Sequence, residues 1–427
     1  MRRKRRARVE SVVLESLFAP IMVELSMTEL APFALVGRGL QASHSARRRA
    51  TSGSSGDMLS GSAQIAAARP AWTALERRAG DAAVFQSHDF AVAAARYHEA
   101  KGEAVHVSLV YDGDRLRAAL PIAVSCRWGV RAGRFLGDPV AQYGDALVAA
   151  GDVAAAQAAL DQIAEAGLVD LLHFRRVRAD AALSPVLANT ARPLGQPLEA
   201  PFADLSQDAS IDAMLLRIGG AKQRRERARS RRRLEEKGEV LLDVRRGAEA
   251  LPVLAEAVAI KRDWLKERGL ASAVLDDGEG VAALAATVDG GTDALVAMRL
   301  MVGGDAAAYE IGLICGRRYH AYLGAVVERF AGSSPGKVQM ELALEWCRAS
   351  GIDIYDLLAP SDEYKRQWST GAMQVRDYVA PVTGVGRLYA DLWLERLRPR
   401  LQKLVLSAPA PLRRAAMRAA LGSTMSR

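Results

Sequence analysis

An α/β fold with mixed sheets, α+β in character and laid out as two halves of like order, is what the sequence predicts. Three observations carry that prediction. Half of the residues (50%) are hydrophobic in a chain of 427, enough to supply cores for two domains plus extensions. Apolar, strand-like runs alternate with segments of helical period. The order of those runs before residue 209 recurs coarsely after residue 239, so the halves read as divergent copies.

The formal net charge of +9 is concentrated. Residues 1–57 carry ten basic against five acidic side chains, residues 217–237 ten against three, and residues 385–427 nine against two. The rest of the chain is therefore acidic, which argues against a globally basic nucleic-acid binder while leaving local arms able to touch anionic partners. Cys126, Cys315 and Cys347 lie far apart with no C-x-x-C pair. That spacing suggests neither a disulfide framework nor a zinc site and points to a reducing, cytoplasmic setting. The six histidines are scattered without H-E-x-x-H or similar spacing, so no metal centre is expected.

Residues 1–57 open with "MRRKRRARVE" and end in "ARRRATSGSSG". Glu15, Pro20, Glu24, Glu29 and Pro32 interrupt the apolar middle, so neither a membrane span nor a signal h-region fits. This stretch is expected to be a basic, disordered extension, with the folded protein beginning near Met58. Residues 58–209 form the first half. Helical signals over Trp72–Arg78 and Asp89–Ala100 precede two strands joined at Asp112-Gly113-Asp114, a further strand in "GRFLGDPVAQYGDALV", an alanine-rich helix (Val153–Ala166) and the strand "GLVDLLHF". Residues 210–238 contain "KQRRERARSRRRLEEK", charged nearly all round. As a helix it has no broad face to bury, and reads as a solvated link or as a surface for phosphate, RNA or an acidic partner. Residues 239–381 form the second half: a helix over Ala248–Arg268, a strand run from Asp293 to Val326, then loop, helix and the apolar run "IDIYDLL". Residues 382–427 form a basic helical tail with Leu394, Leu397, Leu401 and Leu404 at helical spacing and Pro399 placed to kink it. Docking on the domain and peripheral membrane contact are both open to it.

The most informative stretch is "GSSPGKVQMELALEWCRASGIDIYDLL". Gly332, Ser333, Ser334, Pro335 and Gly336 are turn residues from which a helix can start. Val338, Leu342 and Ala349 share an apolar stripe, Gly351 is placed to end the helix, and Ile352, Ile354, Tyr355, Leu357 and Leu358 suit a buried strand. A glycine-containing loop at a helix start offers unpaired N–H groups and the positive end of the helix dipole to a phosphate, with Lys337 adding charge. An ordinary connection has the same appearance. The G-x-x-x-x-G-K-[ST] spacing of a nucleotide-binding P-loop is absent.

The run "RRYHAYLGAVVERFAGSSPGKVQMELALEWCRASGIDIYDLLAPSDEYKRQWS", with its S-P-G loop, I-x-Y-D-L strand and following D-E-Y-K-x-x-W, resembles the GNAT N-acyltransferase superfamily. The resemblance is to its CelD-like, cellulose-biosynthesis-associated acetyltransferase branch, related to FemAB transferases, and "KQRRERARSRRRLEEKGEV" resembles the arginine-rich linker of that branch. It covers roughly residues 65–380 and is strongest over 319–368. It implies tandem GNAT-like domains, with acetyl-CoA as co-substrate, no metal, and the coenzyme pyrophosphate on the backbone of Gly332, Ser333, Ser334, Gly336 and Lys337. The common loop is written Q/R-x-x-G-x-G/A, whereas here Pro335 removes one donor. The family further implies direct acyl transfer to an amine, possible acceptors being sugars or polysaccharide precursors. A FemAB-like aminoacyl-tRNA-dependent transferase, with RNA on the arginine-rich helix, and a catalytically degenerate scaffold for envelope polysaccharide assembly stand as alternatives.

Acyl transfer from a thioester needs a deprotonated amine, an acceptor for its proton, a donor to the carbonyl oxygen and a group that protonates the departing thiolate. By the resemblance, Tyr364 stands where a tyrosine serves the thiolate. Glu310 in "YEIGLIC", Asp356 in "IDIYDLL" and, less readily, His320 are candidates for the base, and Lys365 for an anchor of an anionic substrate or the carbonyl. Cys315 has no adjacent His or Asp to make it a nucleophile.

Overall fold

The computed structural model describes residues 54–80, 84–288 and 293–422. Apart from residues 54–57, the expected extension 1–57 lies outside them. Two compact units divide the described chain. Neither is a single stretch of sequence: one holds residues up to Pro197 together with Gly278–Ala286 and the segment from Val375 onward, the other Leu198–Asp277 and Thr287–Gln374. They are called here the first and second units.

In the first unit, β1 (Ser54–Ser60), β2 (Ala104–Asp112), β3 (Arg115–Arg127) and β4 (Val130–Phe135) form an antiparallel meander. β1 begins four residues inside the stretch expected to be disordered, and it is held by pairing along its whole length, from Ser54 opposite Asp112 to Ser60 opposite His106. Gly113, with φ of 57°, makes the tight β2–β3 turn that the Asp-Gly pair announced. β5 (Leu147–Val148) pairs with β3. β6 (Leu171–Arg178) runs parallel to β4, with Ala132 opposite Leu171 and Arg134 opposite His173. The helix Val153–Glu165, capped by the Asp152 carboxylate on the Ala155 N–H, buries Ala156, Ala159, Leu160 and Ile163 in the core with Leu120, Ile122 and Phe174.

β7 (Arg192–Asp204) leads into the second unit. There β8 (Val240–Arg246), β9 (Leu295–Val302), β10 (Asp305–Cys315) and β11 (Arg318–Val326) repeat the antiparallel meander. β12 (Ile354–Asp356) lies parallel to β11, with His320 opposite Asp356, as β6 does to β4. The units therefore share one strand order, and each is completed by a strand from elsewhere in the sequence. Phe202–Asp204 of β7 pair with β12, whereas Val375–Pro381 of β13 (Gly371–Pro381) pair with β6. Hence the units do not coincide with the halves 58–209 and 239–381. A strand's period shows which face it buries and not which neighbour it pairs with.

The arginine-rich segment is helical over Ile211–Glu235, with Gly220 (φ 65°) interrupting it. Its Ile211, Met214 and Leu215 enter one core of the second unit and Leu234 another, and Arg227 and Ser230 are buried as well. The helix is thus more than a solvated link. The tail also docks: Ala390, Trp393 and Leu394 pack on Val130, Leu171 and Val379 of the first unit. Pro399 falls where the π-helical turns Ala390–Leu397 pass without a break into the α-helix Arg398–Ser407. No helix among the described residues is long and apolar enough to cross a membrane.

Candidate active site in the second unit

The loop at 332–336 is tighter than its composition suggests. Glu328–Ser333 form a 3-10 helix, Ser334 turns into the left-handed region (φ 56°), and Pro335 opens the helix Pro335–Ala349. Within this start the Ser334 N–H donates to the Ala331 carbonyl at 3.0 Å and the Lys337 N–H to the Ser334 carbonyl at 3.2 Å. The expected cradle of amides is therefore reduced, and Gly336 is the loop residue that faces a cavity. Ser334 and Lys337 instead border a hollow shared with Arg229, Arg232 and Arg233 of the arginine-rich helix, and Lys337 Nζ lies 3.6 Å from the Glu226 carboxylate.

The cavity at Gly336 has an interior of about 50 Å³ for water-sized occupants and is walled by β10, β11 and the start of the 335–349 helix. Glu310, Gly336, Gln339, Tyr364, Lys365 and Lys261 all face it. Glu310 is 6% exposed and accepts hydrogen bonds from the hydroxyls of Tyr319 (2.9 Å) and Tyr355. The two rings lie 5.0 Å apart between centroids. Gly312 makes this possible, because a Cβ there would sit 2.1 Å from the Tyr319 ring. Burial pushes the Glu310 carboxyl up to about 7, with the tyrosine hydroxyls pulling the other way. It is held at the edge of ionisation at neutral pH.

Asp362 caps the short helix Glu363–Arg366 through the Lys365 N–H (2.8 Å) and so orients Tyr364 and Lys365. The Tyr364 hydroxyl donates to the Gly336 carbonyl at 3.4 Å. Burial, with the Glu310 and Asp362 charges after it, raises the phenol well above its ordinary range, so it keeps its proton. Lys365 Nζ donates to the carbonyls of Leu358 (2.7 Å) and Pro360 (2.8 Å).

Asp356 does not border the cavity. Its carboxylate accepts the Leu358 N–H (2.9 Å) and pairs with Arg318 (3.2 Å). The strand expected over Ile352–Leu358 stops at Asp356 because Leu358 adopts φ of 61°, a conformation costly for a branched residue. Asp356 and Lys365 hold its two backbone groups from opposite ends. His320 is fully buried with Nδ1 3.2 Å from the Leu313 carbonyl, away from the cavity.

Sequence reasoning missed two cavity residues. Lys261 is 2% exposed, and burial, then Arg268, holds its ammonium well below the usual lysine range. It stands in line with Leu254, Ala257, Val258 and Leu265, and a lysine in a buried stripe was the available signal. Gln339 is 3% exposed, and neither its amide oxygen nor its nitrogen has a hydrogen-bond partner. It too occupies the apolar side of its helix, beside Gly336 and Ala343.

Residues 221–366 match the family model described as an acetyltransferase (GNAT) domain. This GNAT domain starts in the arginine-rich helix and ends at Arg366, so it takes in the whole cavity. Among solved structures the chain is similar to FemX, at 12% identity and a TM-score of 0.52, covering 76% of this chain and 98% of that one. It is also similar to the C-terminal DUF2156 domain of a putative lysylphosphatidylglycerol synthetase from Agrobacterium fabrum, at 14% identity, TM-score 0.49 and coverages of 77% and 95%. A tandem GNAT protein from the clavulanic acid biosynthesis pathway gives 14%, 0.45, 77% and 99%. No curated protein matches the sequence. The fold is mixed α/β, and residues 221–366 are the part of it similar to a GNAT acetyltransferase domain.

Proposed function

We propose that the GNAT domain transfers an acyl group from an acyl-CoA, acetyl-CoA in the simplest case, to an amine. The observation that carries this reading is the single cavity into which Glu310, Tyr364 and the Gly336 helix start all face. Glu310, with its carboxyl near 7, takes the proton of the incoming ammonium. The amine then bonds to the thioester carbon and the carbon–sulfur bond breaks; Tyr364, protonated at rest, gives its hydroxyl proton to the departing sulfur and recovers one from the acylated nitrogen, while Glu310 releases its own to solvent. The start of the 335–349 helix, Lys337 and the neighbouring Arg229, Arg232 and Arg233 are the groups that suit the coenzyme's phosphates. Asp356 and Lys365 position the Leu358 turn beside the cavity. The CelD-like resemblance supports a sugar or polysaccharide-precursor amine as acceptor and a cytoplasmic location.

Calorimetric titration with acetyl-CoA and free coenzyme A, wild type against Gly336→Glu, tests the reading. Saturable binding that the substitution abolishes is expected. Silence from both ligands in the folded wild type would overturn it. The arginine-bordered hollow also favours a second reading, an aminoacyl-tRNA-dependent transferase, which tRNA binding without coenzyme A binding would select.

A further inference from the structure

A second built site lies in the first unit, remote in sequence from the GNAT domain and independent of the activity proposed for it. β4 and β6 present Arg134, His173 and Arg175 on one side of their parallel pair, and Arg398 of the tail helix and Tyr389 border the same hollow. Its interior is about 40 Å³ for water-sized occupants, room for roughly three waters or one phosphate-sized group. His173 is 9% and Arg175 7% exposed. Asp138, which also borders the hollow, accepts from Arg175 Nη1 at 2.8 Å, and Glu103 accepts from Arg134 Nη2 at 2.6 and 2.5 Å. These carboxylates leave donors over. Arg134 Nε, His173 Nε2 and Arg398 Nε are buried without a hydrogen-bond partner. Buried guanidinium donors left unmatched cost stability unless an acceptor supplies the missing bonds, and the neutral His173 imidazole offers Nε2 as a further donor in one of its two tautomers.

We propose that this hollow is a binding site for a small oxyanion, the phosphate or carboxylate group of a ligand, held by Arg134, His173, Arg175 and Arg398. The ionisation of the cluster agrees with the geometry. Burial, followed by the neighbouring Arg176, pulls the Arg175 guanidinium down to about 9, and burial, followed by Arg398, holds the His173 imidazole near 4. Both shifts follow from burial beside other cationic groups, with Asp377 opposing them in part, and an oxyanion in the hollow would offset that repulsion. Arginine forks match planar or tetrahedral oxyanions in pairs of hydrogen bonds.

The test titrates the full-length protein with inorganic phosphate and, separately, with acetate, by calorimetry in a buffer free of other oxyanions. Saturable binding of at least one is expected, weakened about tenfold or more in Arg398→Met and in His173→Gln and unchanged in Arg400→Met. Thermal unfolding without anion establishes that each variant is folded. Binding should persist in Gly336→Glu, which separates this site from the coenzyme reading. Tighter phosphate binding identifies a phosphorylated ligand, tighter acetate binding a carboxylic acid. Absence of saturable binding by either anion, or binding indifferent to both Arg398→Met and His173→Gln, would overturn the proposal.

Discussion

Glu310 carries two opposed demands: it must be a base near neutral pH, and it must be tolerated in a core. Its ordinary value is 4.5 and burial lifts it to about 7, so the folded protein binds a proton that the unfolded chain has released across that window. Stability from this group is therefore present below about pH 4.5 and is lost as pH rises toward 7. Thermal melts of Glu310→Gln should show a flatter dependence on pH over that range than wild type. The rate, in contrast, should rise with pH through an apparent pKa near 7, and Glu310→Gln should lower it by roughly 10²–10⁴-fold while coenzyme A binding survives, as measured by steady-state kinetics and calorimetry. Tyr364→Phe should reduce kcat by about tenfold or more with little change in KM, because the hydroxyl acts on the departing sulfur and not on the bound ground state.

The element that shapes the site is the turn after β12. Leu358 sits at φ of 61° with Asp356 on its N–H and Lys365 on its carbonyl. Lys365→Met leaves the carbonyls of Leu358 and Pro360 without this donor, and a loss of about 2–4 kcal/mol in chemical denaturation is expected. The helices and the alternation of strands were legible because amphipathic period and turn residues are local: Val153–Glu165 and Pro335–Ala349 lie where the stripes placed them. Gly336, Glu310, Tyr364 and Lys365 do meet in one cavity. What could not be read is what depends on partners far away in sequence. The Leu358 reversal cut short an apolar run that looked like a strand, two of the loop amides were taken by nearby carbonyls, and Lys261 and Gln339, though polar residues in apolar stripes, gave no sign of the cavity they line. The tail follows the same rule. Its leucines announced a helix, but only packing revealed Trp393, 4% exposed, as an anchor whose replacement by alanine should cost about 3–5 kcal/mol.

Across the whole molecule, the strand order of each unit is completed by a strand delivered from a distant part of the chain. A fragment spanning residues 54–209 carries β6 but lacks β13, its antiparallel partner. It should be recovered poorly in soluble form, and co-expression with residues 210–427 should restore a soluble complex detectable by size-exclusion chromatography. Open strand edges are templates for aggregation, and covering them is a common protection. The same layout sets a clock during synthesis. Between the end of β6 and the end of β13 the ribosome must add about 200 residues, which at 5–20 residues per second takes roughly 10–40 s. For that interval the nascent first unit exposes an unfinished border, so chaperone demand in the cell should track elongation speed more closely than it tracks the stability of the finished protein.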